Sequence, residues 1–357
     1  MKPSVVCVDL DRGVLGALEQ ALRPHRHAVA AAFFTDPVQA LAALPQARAD
    51  VVIADPLLPG PDGMPFLAHV EARWPRAMRI GLLRLGADVT PGERLVAHAC
   101  VPVDGDLAPV VALLETFAVT RAALPGTELA AHAVGLVGLP PAGPVFREVF
   151  EAIAAGASPD DIARLAERDI AVTAKILQLG GPAAAHGVRA ALASLDGNLV
   201  QHALFALGGV PRPDDAVLEG ANEHAHTVAR AAALIVPEPE LRESAYLAGL
   251  LHDVGELVAP TVDALHAELG AFLLAVWGLP RQLCEAVAYH HRPSAQTCDD
   301  VTLADVVHFA ETMVCADRTT LDDVRLRQLD RSGRLDWWRK GAAGAPTAIR
   351  GPRPGRT

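Results

Sequence analysis

Apolar and polar positions follow two different rhythms along this chain. In the first third, short runs rich in β-branched and aliphatic residues (4–9, 29–34, 51–54, 79–83 and a weak one at 99–102) are separated by stretches of helical spacing at 14–22, 37–44, 64–73, near Glu93, and at 107–120. Buried strands that alternate with helices predict a parallel sheet covered on both faces. Leu124, Pro125 and Gly126 break this rhythm and read as a linker. Beyond about Leu129 the short runs stop and helical periodicity takes over. Ser158 and Pro159 form a cap and first-turn pair for DDIARLAERDI, and AVTAKILQLGG follows as a helix closed by glycines. Residues 1–123 are thus expected to form an α/β doubly wound parallel sheet and 129–317 an all-α domain. Residues 318–357 read as a polar extension, with a Trp337-Trp338 pair able to dock and a Gly, Pro and Arg tail, disordered from about 341.

Composition narrows the function classes. A chain of 357 residues is long for one core, which supports two domains. Aromatic residues make up only 4% and alanine supplies much of the apolar half, as suits close-packed helices. The net charge of −11, with no long basic run before the tail, argues against nucleic acid as a partner. No signal segment opens the chain and no apolar stretch reaches the roughly 18 residues that span a bilayer, so no membrane association and a cytoplasmic location are expected. The five cysteines, scattered and odd in number, read as reduced thiols.

Chemistry concentrates between residues 246 and 293. In LLHDVGEL, His252 and Asp253 sit side by side at an expected helix end, with Gly255 read as the stop. An adjacent imidazole and carboxylate make a strong pair of metal ligands. HAELGAFLLAVWGLP is a helix with Leu265, Leu269, Phe272, Leu273 and Val276 on one stripe and His266 at its start. In the next helix Leu283, Val287 and His290 share a face, so His290 points inward with the leucine while His291 lies off that stripe. Scattered histidines on core helices are the plain alternative, but four histidines and an aspartate within fifty residues weigh against it.

LLHDVGEL, HAELG, WGLP and HHRP, in this order and spacing, resemble the HDOD family, a regulatory branch of the HD phosphohydrolase superfamily. In EHAHTVARAAALIV the resemblance makes His224 the first metal ligand, with His226 in reserve, and His252 and Asp253 the next two. It places Glu311 of VVHFAETM at the last acidic position, with Asp305 as the second choice. The resemblance offers His224, His252, Asp253 and Glu311 as candidate ligands for a divalent metal (Mg, Mn or Fe), with weak or absent occupancy expected, and sets His266, His290, His291 and Arg292 around the pocket. Two family features have drifted: Ile170 follows Asp169 where proline is usual, and Gly181-Pro182 stands where Asn-Ser is usual. No GYP motif follows HHRP.

The first region resembles the receiver domain of bacterial response regulators. Asp55 falls at the phosphoacceptor position, with Asp9 and Asp11 as the acidic partners. Receiver chemistry also needs a hydroxyl after the fourth strand and a lysine before a proline after the fifth; here RIGLLRLGAD has no hydroxyl and Val101 precedes Pro102. The expectation is a receiver-shaped module without phosphotransfer at Asp55.

Two functions follow from these resemblances. One is a bacterial signal-transduction regulator whose receiver-like domain controls a non-catalytic HDOD domain that docks a signalling protein, with homodimerisation open. The other is a metal-dependent phosphohydrolase or phosphodiesterase.

Overall fold

The computed structural model describes residues 2–103, 105–211, 213–259, 265–315 and 320–331; the tail and Trp337-Trp338 lie outside them. In the first domain β1 (Ser4–Val8), α1 (Arg12–Leu22), β2 (Ala30–Phe34), α2 (Pro37–Ala47), β3 (Val51–Ala54), α3 (Phe66–Arg73), β4 (Met78–Arg84), α4 (Pro91–Leu95), β5 (Ala99–Val103) and α5 (Ala108–Ala123) alternate as expected. All strand pairs are parallel and their order is β2-β1-β3-β4-β5. The order reverses between β1 and β3, so Asp9 and Asp55 meet at the carboxyl edge where such sheets build sites. The helix starts are written in the sequence. Asp11 accepts from the Gly13 N–H, Asp36 from Val38 ahead of Pro37, and Thr90 forms a reciprocal box with Glu93.

Strand residues alternate between two cores. Val6, Val8, Val52 and Ala54 face α2 and α3 and close a core with Leu41, Leu44, Phe66 and Val70. Val5, Cys7, Ile53 and Ile80 face the other way, beneath α1 and α5, and that core runs on into the helical domain. Phe117 of α5 meets Phe272 at 5.4 Å between ring centroids.

The helical domain comprises α6 (Glu128–Val134), α7 (Gly143–Ala154), α8 (Pro159–Ala166), α9 (Ile170–Gly180), α10 (Val188–Ala193), α11 (Gly197–Leu207), α12 (Asp215–Ile235), α13 (Arg242–Leu251), α14 (Val254–Val258), α15 (His266–Val276), α16 (Arg281–Tyr289), α17 (Leu303–Val314) and α18 (Asp323–Arg331). Asp169 caps α9 through the Val172 N–H (2.9 Å) and accepts the Ala142 N–H (2.6 Å), tying the start of the domain to its first buried helix. Across the domain boundary, Arg94 donates to the Leu179 carbonyl (3.0 Å) and Gln178 to that of His98 (2.8 Å). A cleft of about 320 Å³ lies along this seam, lined by Arg79, Arg94, Lys175 and Gln178 among others. Its cationic groups are spent on protein partners, among them Glu71 for Arg79 and Gln178 for Lys175. No helix among the described residues is long and apolar enough to cross a membrane.

Two local expectations change. Gly255 does not end a helix: α13 stops at Leu251, His252 and Asp253 form the joint, and Gly255 lies inside α14. A Cβ there would stand 1.9 Å from the His266 carbonyl oxygen, so its role is close approach of α14 to α15. Residues read as the start of a polar extension instead pack on the domain. Arg325 of α18 is buried, donating to both oxygens of Asp305 (2.7 and 2.8 Å) and to the carbonyls of Cys298 (2.5 Å) and Asp300 (2.7 Å). A charged side chain that looks solvent-seeking in sequence is here the centre of the packing.

Candidate functional site

The joint between α13 and α14 aims Asp253 at the middle of the helical domain, and four other helices bring imidazoles or a carboxylate to it. Its Oδ2 lies 3.1 Å from His252 Nε2 and 3.6 Å from Nε2 of His224 on α12. Its Oδ1 lies 3.4 Å from Nε2 of His266, at the first position of α15, and 3.6 Å from Nε2 of His290, at the end of α16. The two oxygens of one carboxylate thus face two separate sets of side chains. His224 and His252 stand 3.3 Å apart at Nε2, with Glu311 of α17 completing their group. His266 and His291 stand 2.9 Å apart, and with Asp253 and His290 they make the second group. In each group the ligand atoms lie within 4.8 Å of one another.

The tautomers are fixed from behind. His252 Nδ1 donates to the Gly249 carbonyl and His290 Nδ1 to that of Val287, both at 2.7 Å. A carbonyl only accepts, so in the neutral ring the Nε2 lone pair faces the centre, as a metal ligand requires. His224 Nδ1 rests 3.9 Å from the Cys315 sulfur. Both His252 and His290 are fully buried, and His290 Nε2 has no hydrogen-bond partner. A buried nitrogen left without a partner, beside a carboxylate with one oxygen for each group, fits a divalent cation; imidazole and carboxylate ligands suit Zn, Mn or Fe.

Charge within the cluster is strongly coupled. Burial raises the cost of a charged Asp253, yet His252 beside it, then His266 and His290, hold its carboxyl well below the usual carboxylate range. Burial likewise opposes a charged His252, but Asp253, with Glu311 behind it, outweighs this and raises its pKa. His291 is pushed down to about 3, first by burial and then by His290 and His266. Of these two rings, His252 is favoured in its charged form by Asp253 and His291 is held neutral.

The structure brings together His224, His252, Asp253, His266, His290, His291 and Glu311. Arg292 lies exposed beside His291, at the rim. His226 points away from the centre, toward the Tyr246 hydroxyl (3.1 Å). Asp305 is held by Arg325, which leaves Glu311 as the α17 carboxylate at the site, beside Asp253. Sequence reasoning passes over His308, whose Nδ1 donates to the His290 carbonyl (2.7 Å) while its Nε2 accepts the Asp322 N–H (2.9 Å), fixing the end of α16 from behind. The available signal is its place on α17 one turn before Glu311.

At the sheet edge the arrangement differs from the one the receiver resemblance implies. Arg84, the last residue of β4, donates to both oxygens of Asp9 (2.7 and 2.9 Å) and to Asp55 Oδ2 (2.8 Å), with Asp11 at 3.8 Å. The other Asp55 oxygen accepts the Leu57 N–H at 2.8 Å. A guanidinium fills the acidic cluster, so these residues do not fit a divalent ion.

Comparison with known proteins bears on the histidine cluster directly, because residues 222–322 match the HD domain family over a span that contains every residue of the centre. Residues 222–322 form an HD domain. The chain is similar to ribonuclease Y of Thermus thermophilus, at 34% identity over 113 residues, 30% of this chain and 20% of that protein. Ribonuclease Y of Deinococcus radiodurans is 32% identical over 87 residues, 24% of this chain and 15% of that one. The chain thus spans a fifth or less of the length of these curated relatives. Among solved structures it is similar to the MmoQ response regulator of Methylococcus capsulatus (20% identity, TM-score 0.41, 55% of this chain and 97% of that one). An HDOD domain protein of Geobacter sulfurreducens aligns at 19% identity and TM-score 0.30, over 67% of this chain and 92% of that one.

Proposed function

We propose that this protein is a bacterial signal-transduction regulator in which a receiver-like domain is packed against an HD domain that holds divalent metal on the two sides of Asp253. The observation that carries the reading is the division of the Asp253 carboxylate, Oδ2 toward His224 and His252, Oδ1 toward His266 and His290. One ion would be held by His224, His252, Asp253 and Glu311, the other by Asp253, His266, His290 and His291. The cross-domain hydrogen bonds and the shared core support coupling: a shift of β5 and α5 would be felt by α9 and α15. A signalling protein as partner and a cytoplasmic location belong to the same proposal.

Phosphodiester hydrolysis is the second reading, favoured by the paired ligand groups. A divalent ion bound there would polarise a phosphoryl oxygen and make a neighbouring water more acidic. The chain's own contribution would be orientation, through His252 and His290 locked by their Nδ1 bonds, with His291 the most exposed ring of the cluster at its mouth. Against turnover, Arg292 is the sole arginine that the sequence places beside the histidines.

Metal analysis of the purified protein, paired with hydrolysis of a generic phosphodiester in added Mn²⁺, tests both. Bound metal that is lost in Asp253→Ala, without hydrolysis, is the expected result. Hydrolysis abolished by Asp253→Ala would promote the second reading, and absence of metal under all loading conditions would overturn both.

A further inference from the structure

We propose that Arg84 is the chain's own replacement for a divalent cation in the receiver-like domain, locking the carboxyl edge of the sheet in one state that neither metal nor phosphoryl transfer can change. The inference concerns the first domain alone and does not depend on whether the HD domain holds metal.

Three features of the geometry carry it. Asp9 is almost fully buried, and its two oxygens both accept from Arg84 Nη2, with Oδ1 also accepting the Asp11 N–H at 2.8 Å. Asp55 has one oxygen on Arg84 Nε and the other on the Leu57 N–H, so the side chain that would serve as nucleophile has an engaged partner at each oxygen. Finally, β1, β3 and β4 are adjacent, so one guanidinium at the end of β4 reaches across β3 to β1 and staples three strands at their carboxyl ends. A buried carboxylate is costly unless a cation and hydrogen bonds compensate it, and Arg84 supplies both.

The choice of arginine matters. Its planar fork can meet two carboxylates at once, and it keeps its proton throughout the accessible pH range. Its hydrogen bond to Asp55, with Asp9 adding, raises its pKa further. Chelators cannot remove such a cation and a phosphodonor would have to displace it. Regulation of this domain therefore has to arrive by another route than Asp55.

The test counts ions. Mn²⁺ bound per chain is measured on the full-length wild type, Arg84→Ala and Arg84→Ala/Asp55→Asn. Ions in the HD domain are common to all three, so the differences report the sheet edge. Arg84→Ala should take up one more ion than the wild type, and the double variant should lose it. Thermal unfolding with and without Mn²⁺ gives a second readout: Arg84→Ala should be the variant whose midpoint rises most. If Arg84→Ala folds only when Mn²⁺ is present, the ion has taken over the role of the guanidinium and the proposal stands. Equal stoichiometry in the wild type and a folded Arg84→Ala overturns it, as does an Arg84→Ala chain that stays unfolded in saturating Mn²⁺.

Discussion

Gln178 of α9 donates its side-chain amide to the main-chain carbonyl of His98, and the ring of that same histidine is fixed by two further bonds: Nδ1 accepts the Arg79 N–H and Nε2 donates to the Val134 carbonyl, each of the three at 2.8 Å. His98 therefore joins the strand edge to α6 and α9 as a neutral tautomer. Burial, with Arg79 nearby, holds its pKa well below the ordinary 6.5. For a base with a depressed folded pKa, the stabilisation is complete above the unfolded value and is lost as pH falls through it. Below pH 6.5 the unfolded chain takes up a proton that the folded one refuses, a loss of up to about 1.4 kcal/mol per pH unit. Denaturant unfolding of the wild type and His98→Asn should show a stability gap that is constant above this pH and narrows below it. A gap that does not change with pH would separate His98 from the acid sensitivity.

The division of Asp253 predicts unequal effects of ligand substitutions. Asp253→Asn should lower metal content at both groups, whereas Glu311→Gln should lower it at one and leave the ion at His266, His290 and His291. Substitution of a carboxylate near a bound ion costs on the order of tenfold or more in affinity. Metal titration of the two variants side by side checks this, and an equal loss in both would show a single ion.

Arg325→Ala should destabilise the helical domain by about 3–5 kcal/mol, since it leaves Asp305 buried and uncompensated. The pair Arg325→Met/Asp305→Leu should cost less than the single change, although the carbonyls of Cys298 and Asp300 lose a donor in both. Chemical denaturation of the single and double variants measures the difference.

Gly255→Ala should exceed the roughly 1–3 kcal/mol usual for overpacking, because its new methyl would meet backbone of α15 instead of a yielding side chain. It should also weaken metal binding by moving His266 from Asp253. Gly92→Ala in α4, where nothing lies within 4 Å, serves as the control and should be neutral or mildly stabilising.

The alternation of strand and helix in the first third is legible because buried parallel strands are continuous apolar runs, and HD with HH at helix ends is legible because both pairs interrupt strongly periodic stripes. Arg84 escapes such a reading for a different reason. Its position after the fourth strand draws notice for the hydroxyl it lacks, and nothing in local sequence says that a side chain will reach back across β3 to Asp9. Arg325 and Gly255 mislead in the same way, since burial of a guanidinium and contact between two backbones are long-range facts. Near Glu311 the sequence leaves Asp305 open as well, and only the ion pair with Arg325 removes it from the site.

Helix α5 belongs by connectivity to the sheet, yet its Val110, Leu114 and Phe117 lie in a core continuous with α15 and α16. Leu124–Gly126 looks like a seam at which modules could be exchanged, but a graft made there would strip the helical half of one of its own walls. A transplantable HD unit from this chain has to carry α5 along, and a transplantable sheet has to find a new cover for the face that α5 leaves behind.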